Sequence, residues 1–255
     1  MKIYRKAAWV AAASTALAAT IGVIGWLTNV PTGLTDEDIA AFDATPIARL
    51  RNQHPSEFKQ QIAAIQFVQA AVHDIASANV PIPLEHSREP KDLIAARSGL
   101  CYDRSRTFEK AMLYVGLKTR HVFVLYSEGK SFWSALVTRH QPSHAISEVL
   151  TARGWVTVDS NSAWISLDKN GQPMALDNVW LSSSRFTVMP VYMKRPFWAI
   201  RGLYDRAGQL YPPFLVHLPD LNWVTMADWL TTMSPSEASP AATDSPGKAG
   251  IASLD

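Results

Sequence analysis

Three rhythms of apolar and polar residues divide this chain. The first is an uncharged run from Ala7 to Leu27 behind Lys2, Arg5 and Lys6. Its length suits a bilayer span. A basic flank ahead of such a run puts residue 1 in the cytoplasm and the remainder outside. Residues 1–29 therefore read as an N-terminal anchor, single-pass in the inner membrane, with the domain on the periplasmic side. Ala16-Leu17-Ala18 also has the form of a signal-peptidase site, so the alternative is a domain secreted to the periplasm after cleavage.

The second rhythm is helical. Thr35-Asp36-Glu37-Asp38 has the form of a capping box opening a short helix. Phe58, Ile62, Ile65, Val68, Val72 and Ile75 then recur at spacings of three and four, which predicts one amphipathic helix over 57–78. Pro81 and Pro83 end it. Pro90 to Arg97 reads as a short helix broken by Ser98-Gly99. Cys101 starts the next one, which runs through Phe108, Met112 and Val115 to a C-terminal glycine cap at Gly116.

The third rhythm is that of strands. Segments 119–126, 132–137, 144–150 and 154–159 read as β, the last two joined as a hairpin by a tight turn at Ala152-Arg153. That hairpin brings His144 and Asp159 near each other across the pair. Beyond Asn161 the pattern weakens. Trp164 to Leu167 suggests another strand, 176–182 a turn of helix, and 190–219 is rich in proline and aromatics. Asp220 or Asn222 can cap a last helix ending near Met233. From Ser234 the composition falls to Ser, Pro, Ala, Asp and Gly, so 234–255 reads as a disordered tail. The fold class is α+β, with one domain over 34–233 and its motif core at 98–161.

Composition narrows the function classes. With 255 residues, 47% of them hydrophobic, the chain can core one sizeable domain. A net charge of +2 gives no electrostatic case for a nucleic-acid partner. Cys101 is the only cysteine, so no internal disulfide or multi-cysteine zinc site can form. His-Glu-x-x-His and phosphate-binding glycine loops are absent, and the expected chemistry needs no metal or organic cofactor.

A lone thiol followed by a histidine and an aspartate on β segments is the make-up of a nucleophile, its base and an orienting acid. A helix N-terminus and a neighbouring imidazolium both favour the thiolate. His144 would shuttle the proton and Asp159 would fix its ring. The amide of Cys101 is a natural oxyanion donor. The plainer readings are that Cys101 is a small buried hydrophobe and Asp159 a strand end. His121 and His140 compete with His144, the former packing in its strand or facing solvent. Asp103 and Arg104 read as an ion pair, and Glu148 as a strand-surface or supporting residue.

Four motifs carry a resemblance. They are Gly99-Leu100-Cys101, the Arg120-bearing strand after Gly116, His144-Ala145-Ile146-Ser147-Glu148-Val149, and Gly154-Trp155-Val156-Thr157-Val158-Asp159. In order and spacing they resemble the transglutaminase-like superfamily of papain-type thiol enzymes. Ile146 stands where that family usually has an aromatic, and Ser160-Asn161 follow the aspartate where Pro and Thr are common. The resemblance implies Cys101 as nucleophile, His144 as base and Asp159 as orienting acid. It implies a thiol-dependent amide-bond hydrolase or acyltransferase acting on a protein, peptide or cell-wall substrate outside the membrane. The alternative is a non-catalytic binding or scaffold module in an envelope assembly.

Overall fold

The computed structural model describes residues 2–51, 53–83, 86–138, 140–181, 186, 188–205 and 220–232, with side chains from Ser14 onward except at 178, 180 and 181. Segment 206–219 and the tail expected from Ser234 lie outside the described residues.

The N-terminal run is helical, α1 (Lys2–Thr28). The expected membrane span finds no support: no helix among the described residues is long and apolar enough to cross a membrane. The end of α1 is tied to the domain. The Val30 amide donates to Leu221 O at 2.8 Å, and Trp223 Nε1 donates to Thr28 Oγ1 at 2.9 Å.

Helix α2 (Asp36–Asp43) begins with the predicted capping box, Thr35 and Asp38 exchanging bonds. A 3-10 turn at Pro46–Leu50 leads to α3 (Phe58–Ile75), which buries Ile65, Val68 and Val72 of the predicted stripe and leaves Phe58, Ile62 and Ile75 half-buried. Glu57 precedes its first turn, with no side-chain cap. Helix α4 (Pro90–Ala96) follows, then α5 (Cys101–Val115). Gly116 closes α5 in the left-handed region at φ 93°, where a Cβ would also meet His54 Nδ1 at 2.5 Å.

Strand β1 (Thr119–Tyr126) is followed by α6 (Phe132–Leu136), where a strand was expected. The run Phe-Trp-Ser-Ala-Leu is too short for its periodicity to decide, and Ser131 settles it by accepting the Ser134 amide at the helix start. Strands β2 (Ser143–Thr151) and β3 (Gly154–Asp159) form the predicted hairpin. Trp164 to Leu167 holds isolated bridges rather than a strand, and α7 (Leu176–Leu181) comes next. Strand β4 (Phe197–Arg201), not anticipated, pairs antiparallel with β1, and α8 (Trp223–Thr232) is the last described element.

The sheet order is β3-β2-β1-β4, antiparallel throughout. Alternation along the strands divides two packing layers. Val149, Val156 and Val158 join Phe108, Met112 and the α3 stripe in one cluster. Val122, Val124 and Ile146 meet Leu176, Val179 and Met193 in another. Helix α5 is wedged between α3 and the sheet, and 12 of its 15 residues are buried, charged ones included.

Candidate active site

The entry to α5 is held by small-scale packing. Gly99 donates its amide to Ala78 O at 3.1 Å, and a Cβ there would meet Asp103 Cβ at 3.0 Å and Leu93 Cδ1 at 3.1 Å. Asp103 accepts the Leu100 amide at 2.9 Å, capping the helix that begins at half-buried Cys101. The Cys101 amide thus belongs to the first turn, where no helical carbonyl lies upstream to accept it.

The expected Asp103–Arg104 ion pair does not form. Asp103 caps the helix, with Arg88 Nε 3.7 Å from its Oδ1. Arg104 points the other way, giving bonds to Ala76 O (2.9 and 3.0 Å), Ala78 O (3.2 Å) and Asn161 Oδ1 (2.8 Å). It thereby caps the end of α3 and ties α5 to the loop after β3. A buried guanidinium can do this because it carries five donors.

Across the hairpin Ile146 pairs with Asp159. His144 lies two residues before Ile146 and so points to the same face. His144 Nε2 meets Asp159 Oδ1 at 2.7 Å, and Cys101 is near enough to favour the protonated ring. With Nε2 on the carboxylate, Nδ1 is the nitrogen left for the sulfur. The three residues that the sequence singled out therefore lie together at the start of α5 and the adjoining ends of β2 and β3.

Burial disfavours charge on His144, but hydrogen bonds to Asp159 and Cys101 and the charge on the sulfur outweigh it, raising the imidazole from 6.5 to about 9. Burial acts equally against the Asp159 carboxylate, and the bonds from His144, Ser162 and Tyr192 overcome it, leaving the group below 3.8. The Nε2 bond to Asp159 and the Tyr192 ring set the orientation of the imidazole.

Asp159 itself is anchored from several sides. Oδ2 accepts from Ser162 Oγ and from Tyr192 OH, and Oδ1 from the Asn161 amide at 3.2 Å. Gln69 Nε2, on α3, reaches Asp159 O at 2.9 Å and Ser162 O at 2.8 Å. Tyr192 also sets its ring against His144, centroids 4.9 Å apart at 69°. Burial and the neighbouring Asp159 push its phenol well above the ordinary range, so it stays a donor. Sequence reasoning saw Tyr192 only as one of many aromatics in 190–219. Its signal was an aromatic with a polar tip among prolines, which many residues there share.

The competing residues sit elsewhere. His121 is buried in β1, its Nδ1 2.7 Å from Glu109 Oε1 and its ring stacked on Tyr204 at 4.2 Å. His140 lies in a turn at φ 56°. Glu148 is fully buried rather than on a strand surface, meeting Arg120 Nε at 2.6 Å, Arg201 Nη2 at 3.3 Å and the Leu176 amide at 2.8 Å. It anchors α7 to the sheet and plays no part beside Cys101.

Comparison with known proteins agrees on the core segment. Residues 50–160 match the transglutaminase-like superfamily. No curated protein matches the chain. Among solved structures, Legionella pneumophila LapG in an EGTA-treated form is similar at 13% identity, over 79% of this chain and 92% of that one, with a TM-score of 0.37. A candidate cysteine protease from Cytophaga hutchinsonii is similar at 15% identity, over 58% of this chain and 49% of that one, with a TM-score of 0.27.

Proposed function

We propose, on the match of residues 50–160 to the transglutaminase-like superfamily, that the chain is a thiol-dependent enzyme that cleaves or transfers acyl groups at amide bonds of a protein or peptide substrate. Cys101 is the nucleophile, His144 the proton carrier and Asp159 the residue that orients it. The observation that carries this reading is the 2.7 Å bond from His144 Nε2 to Asp159 Oδ1, with Cys101 at the start of α5 near enough to favour the protonated ring.

The chemistry follows from those contacts. An imidazolium beside the sulfur favours the thiolate, the attacking form. The sulfur adds to the amide carbonyl, and the oxyanion is met by the Cys101 amide at the helix start. His144 then gives its proton to the departing amine as the acyl-enzyme forms. A water, deprotonated by the now neutral imidazole, releases the acyl group as acid. Hydrolysis is the reaction proposed, since it needs no site for a second amine.

A location outside the cytoplasm is part of the proposal. It rests on the basic residues ahead of the uncharged run at 7–27, an export pattern that needs no retained span.

The test is capture of the acyl-enzyme. An activated ester such as p-nitrophenyl acetate should give a burst of about one product per chain and add one acetyl to the intact mass, both absent in Cys101→Ser. No burst and no adduct on a folded protein would remove the catalytic reading in favour of a binding module.

A further inference from the structure

Arg104 is only 4% exposed and lies three residues after Cys101 on α5. The two share a side of the helix, and a side chain there leans back toward the N-terminal turn. Burial pulls the guanidinium down from 12.5, and the charge of Cys101 is first among those that oppose it, which places it beside the thiol. Its bonds account for all five N–H groups. Nε and Nη2 give to Ala76 O at 3.0 and 2.9 Å, and Nη2 gives again to Ala78 O at 3.2 Å. The two hydrogens of Nη1 go to Asn161 Oδ1 at 2.8 Å and Asn79 Oδ1 at 3.3 Å. The cation therefore has no donor left for a substrate. It presents a pair of side-chain amides instead.

The orientation of those amides is forced. Arginine only donates, so each amide oxygen faces it and each NH2 group is turned away. Both asparagines are exposed, and neither Nδ2 has a hydrogen-bond partner among the described residues. One nitrogen holds both oxygens, so the two amides are neighbours. Each segment is also fixed close to the triad by the backbone. The Gly99 amide, two residues before Cys101, donates to Ala78 O at 3.1 Å, and the Asn161 amide donates to Asp159 Oδ1 at 3.2 Å. Two outward donor groups thus stand at the start of α5, on supports that the thiol and its partners share.

Their chemistry selects an acceptor. A cationic ligand finds only N–H groups here. A peptide main chain offers a carbonyl at every residue, and in an extended chain those on one edge recur about every 7 Å, within the reach of two adjacent amides. A small isolated amide has one carbonyl, and that one is committed to the sulfur.

We propose that Asn79 and Asn161 bind the substrate's main chain, each donating through Nδ2 to carbonyl groups flanking the one that Cys101 attacks, so that the site takes an extended peptide segment rather than an isolated amide. This rests on Cys101 being the nucleophile. Recognition through the main chain is indifferent to side-chain identity, so a plain peptide suffices to test it.

The experiment compares alkylation of Cys101 in the full chain by chloroacetone and by acetyl-trialanine chloromethyl ketone, which share one reacting group. Each rate is divided by the rate for the urea-unfolded chain. The peptide reagent should gain at least about ten-fold over chloroacetone in the parent protein, and Asn79→Ala and Asn161→Ala should each cut that gain about five-fold. Asn79→Asp and Asn161→Asp keep an oxygen for Arg104 and remove only the N–H donors. They should lose the gain as the alanine variants do, whereas a purely structural tie would be restored by aspartate. A parent gain near one, with chloroacetone still faster than in the unfolded chain, overturns the proposal and leaves the nucleophile standing. A gain kept in both aspartate variants overturns it too. Chloroacetone no faster on the native than on the unfolded chain overturns the thiol reading and this proposal together.

Discussion

His144 and Asp159 are brought together by the register of one hairpin: Asp159 pairs with Ile146, and His144 stands two residues away on the same face, its Nε2 2.7 Å from the carboxylate. A slip of one residue would send every β3 side chain to the opposite face and leave His144 without its partner. The turn at Ala152-Arg153 and the pairing of Thr151 with Gly154 hold that register. Asp159→Asn should therefore leave the fold intact while lowering acyl-transfer rates by about a hundred-fold or more, because the amide no longer stabilises the imidazolium and need not fix its tautomer. Burst kinetics with an activated ester measure this, and a rate within a factor of three of the parent would speak against a triad.

Tyr192 acts on the same carboxylate. Its hydroxyl donates to Asp159 Oδ2 and its ring packs on His144. Tyr192→Phe keeps the ring and removes the bond, so stability should fall by only about 1 kcal/mol. The acyl-transfer rate should drop about ten-fold, as Asp159 loses one of the donors that orient it. Urea unfolding and burst rates on one preparation separate the two effects. A loss of stability with full activity would make Tyr192 a packing residue only.

The same pair sets a pH window for stability. His144 is raised from 6.5 to about 9, so its share of stability is fully present below 6.5 and is lost as pH climbs through 9. Asp159 is lowered from 3.8, so its share is present above 3.8 and is lost as pH falls through its folded value. Together they contribute most between about pH 4 and 6.5. The difference in unfolding midpoint between the parent and His144→Ala should be level across that window and shrink by pH 9. A difference that stays constant to pH 9 would mean that the ring is not protonated in the folded protein.

Lys110 is nearly inaccessible, at 2% exposure, and joins α5 to Asp38 of α2 and to Glu89 ahead of α4. Lys110→Ala leaves the buried Asp38 carboxylate without its cation and Glu89 with Arg106 alone, at a cost of about 3–5 kcal/mol. Urea denaturation measures the loss. A change below about 1 kcal/mol would show that water already serves these carboxylates in the folded protein.

The parts legible in the sequence are those written in local pattern. The α3 stripe, the Gly116 stop and the β2–β3 hairpin each depend on residues within a few positions of one another. The site inherits that legibility, because His144 and Asp159 share the hairpin and Cys101 starts the adjoining helix. The rest depends on distant partners. Strand β4 is recognisable only beside β1, since Phe197 to Arg201 sits in a stretch of prolines and aromatics without alternation. The burial of Arg104, Glu109 and Lys110 contradicts their residue types until Ala76, His121 and Asp38 are seen opposite them. Tyr192 lies 33 residues from the aspartate it binds, beyond any spacing rule.

The most direct measurement is the rate of Cys101 alkylation by iodoacetamide across about pH 5.5 to 9 in the full chain, beside His144→Ala and Asp159→Ala. The account predicts that at about pH 6 to 7 the native thiol reacts at least about ten-fold faster than in the urea-unfolded chain, and that His144→Ala removes the advantage. A native thiol no faster than the unfolded one, or one equally fast without His144, would contradict it.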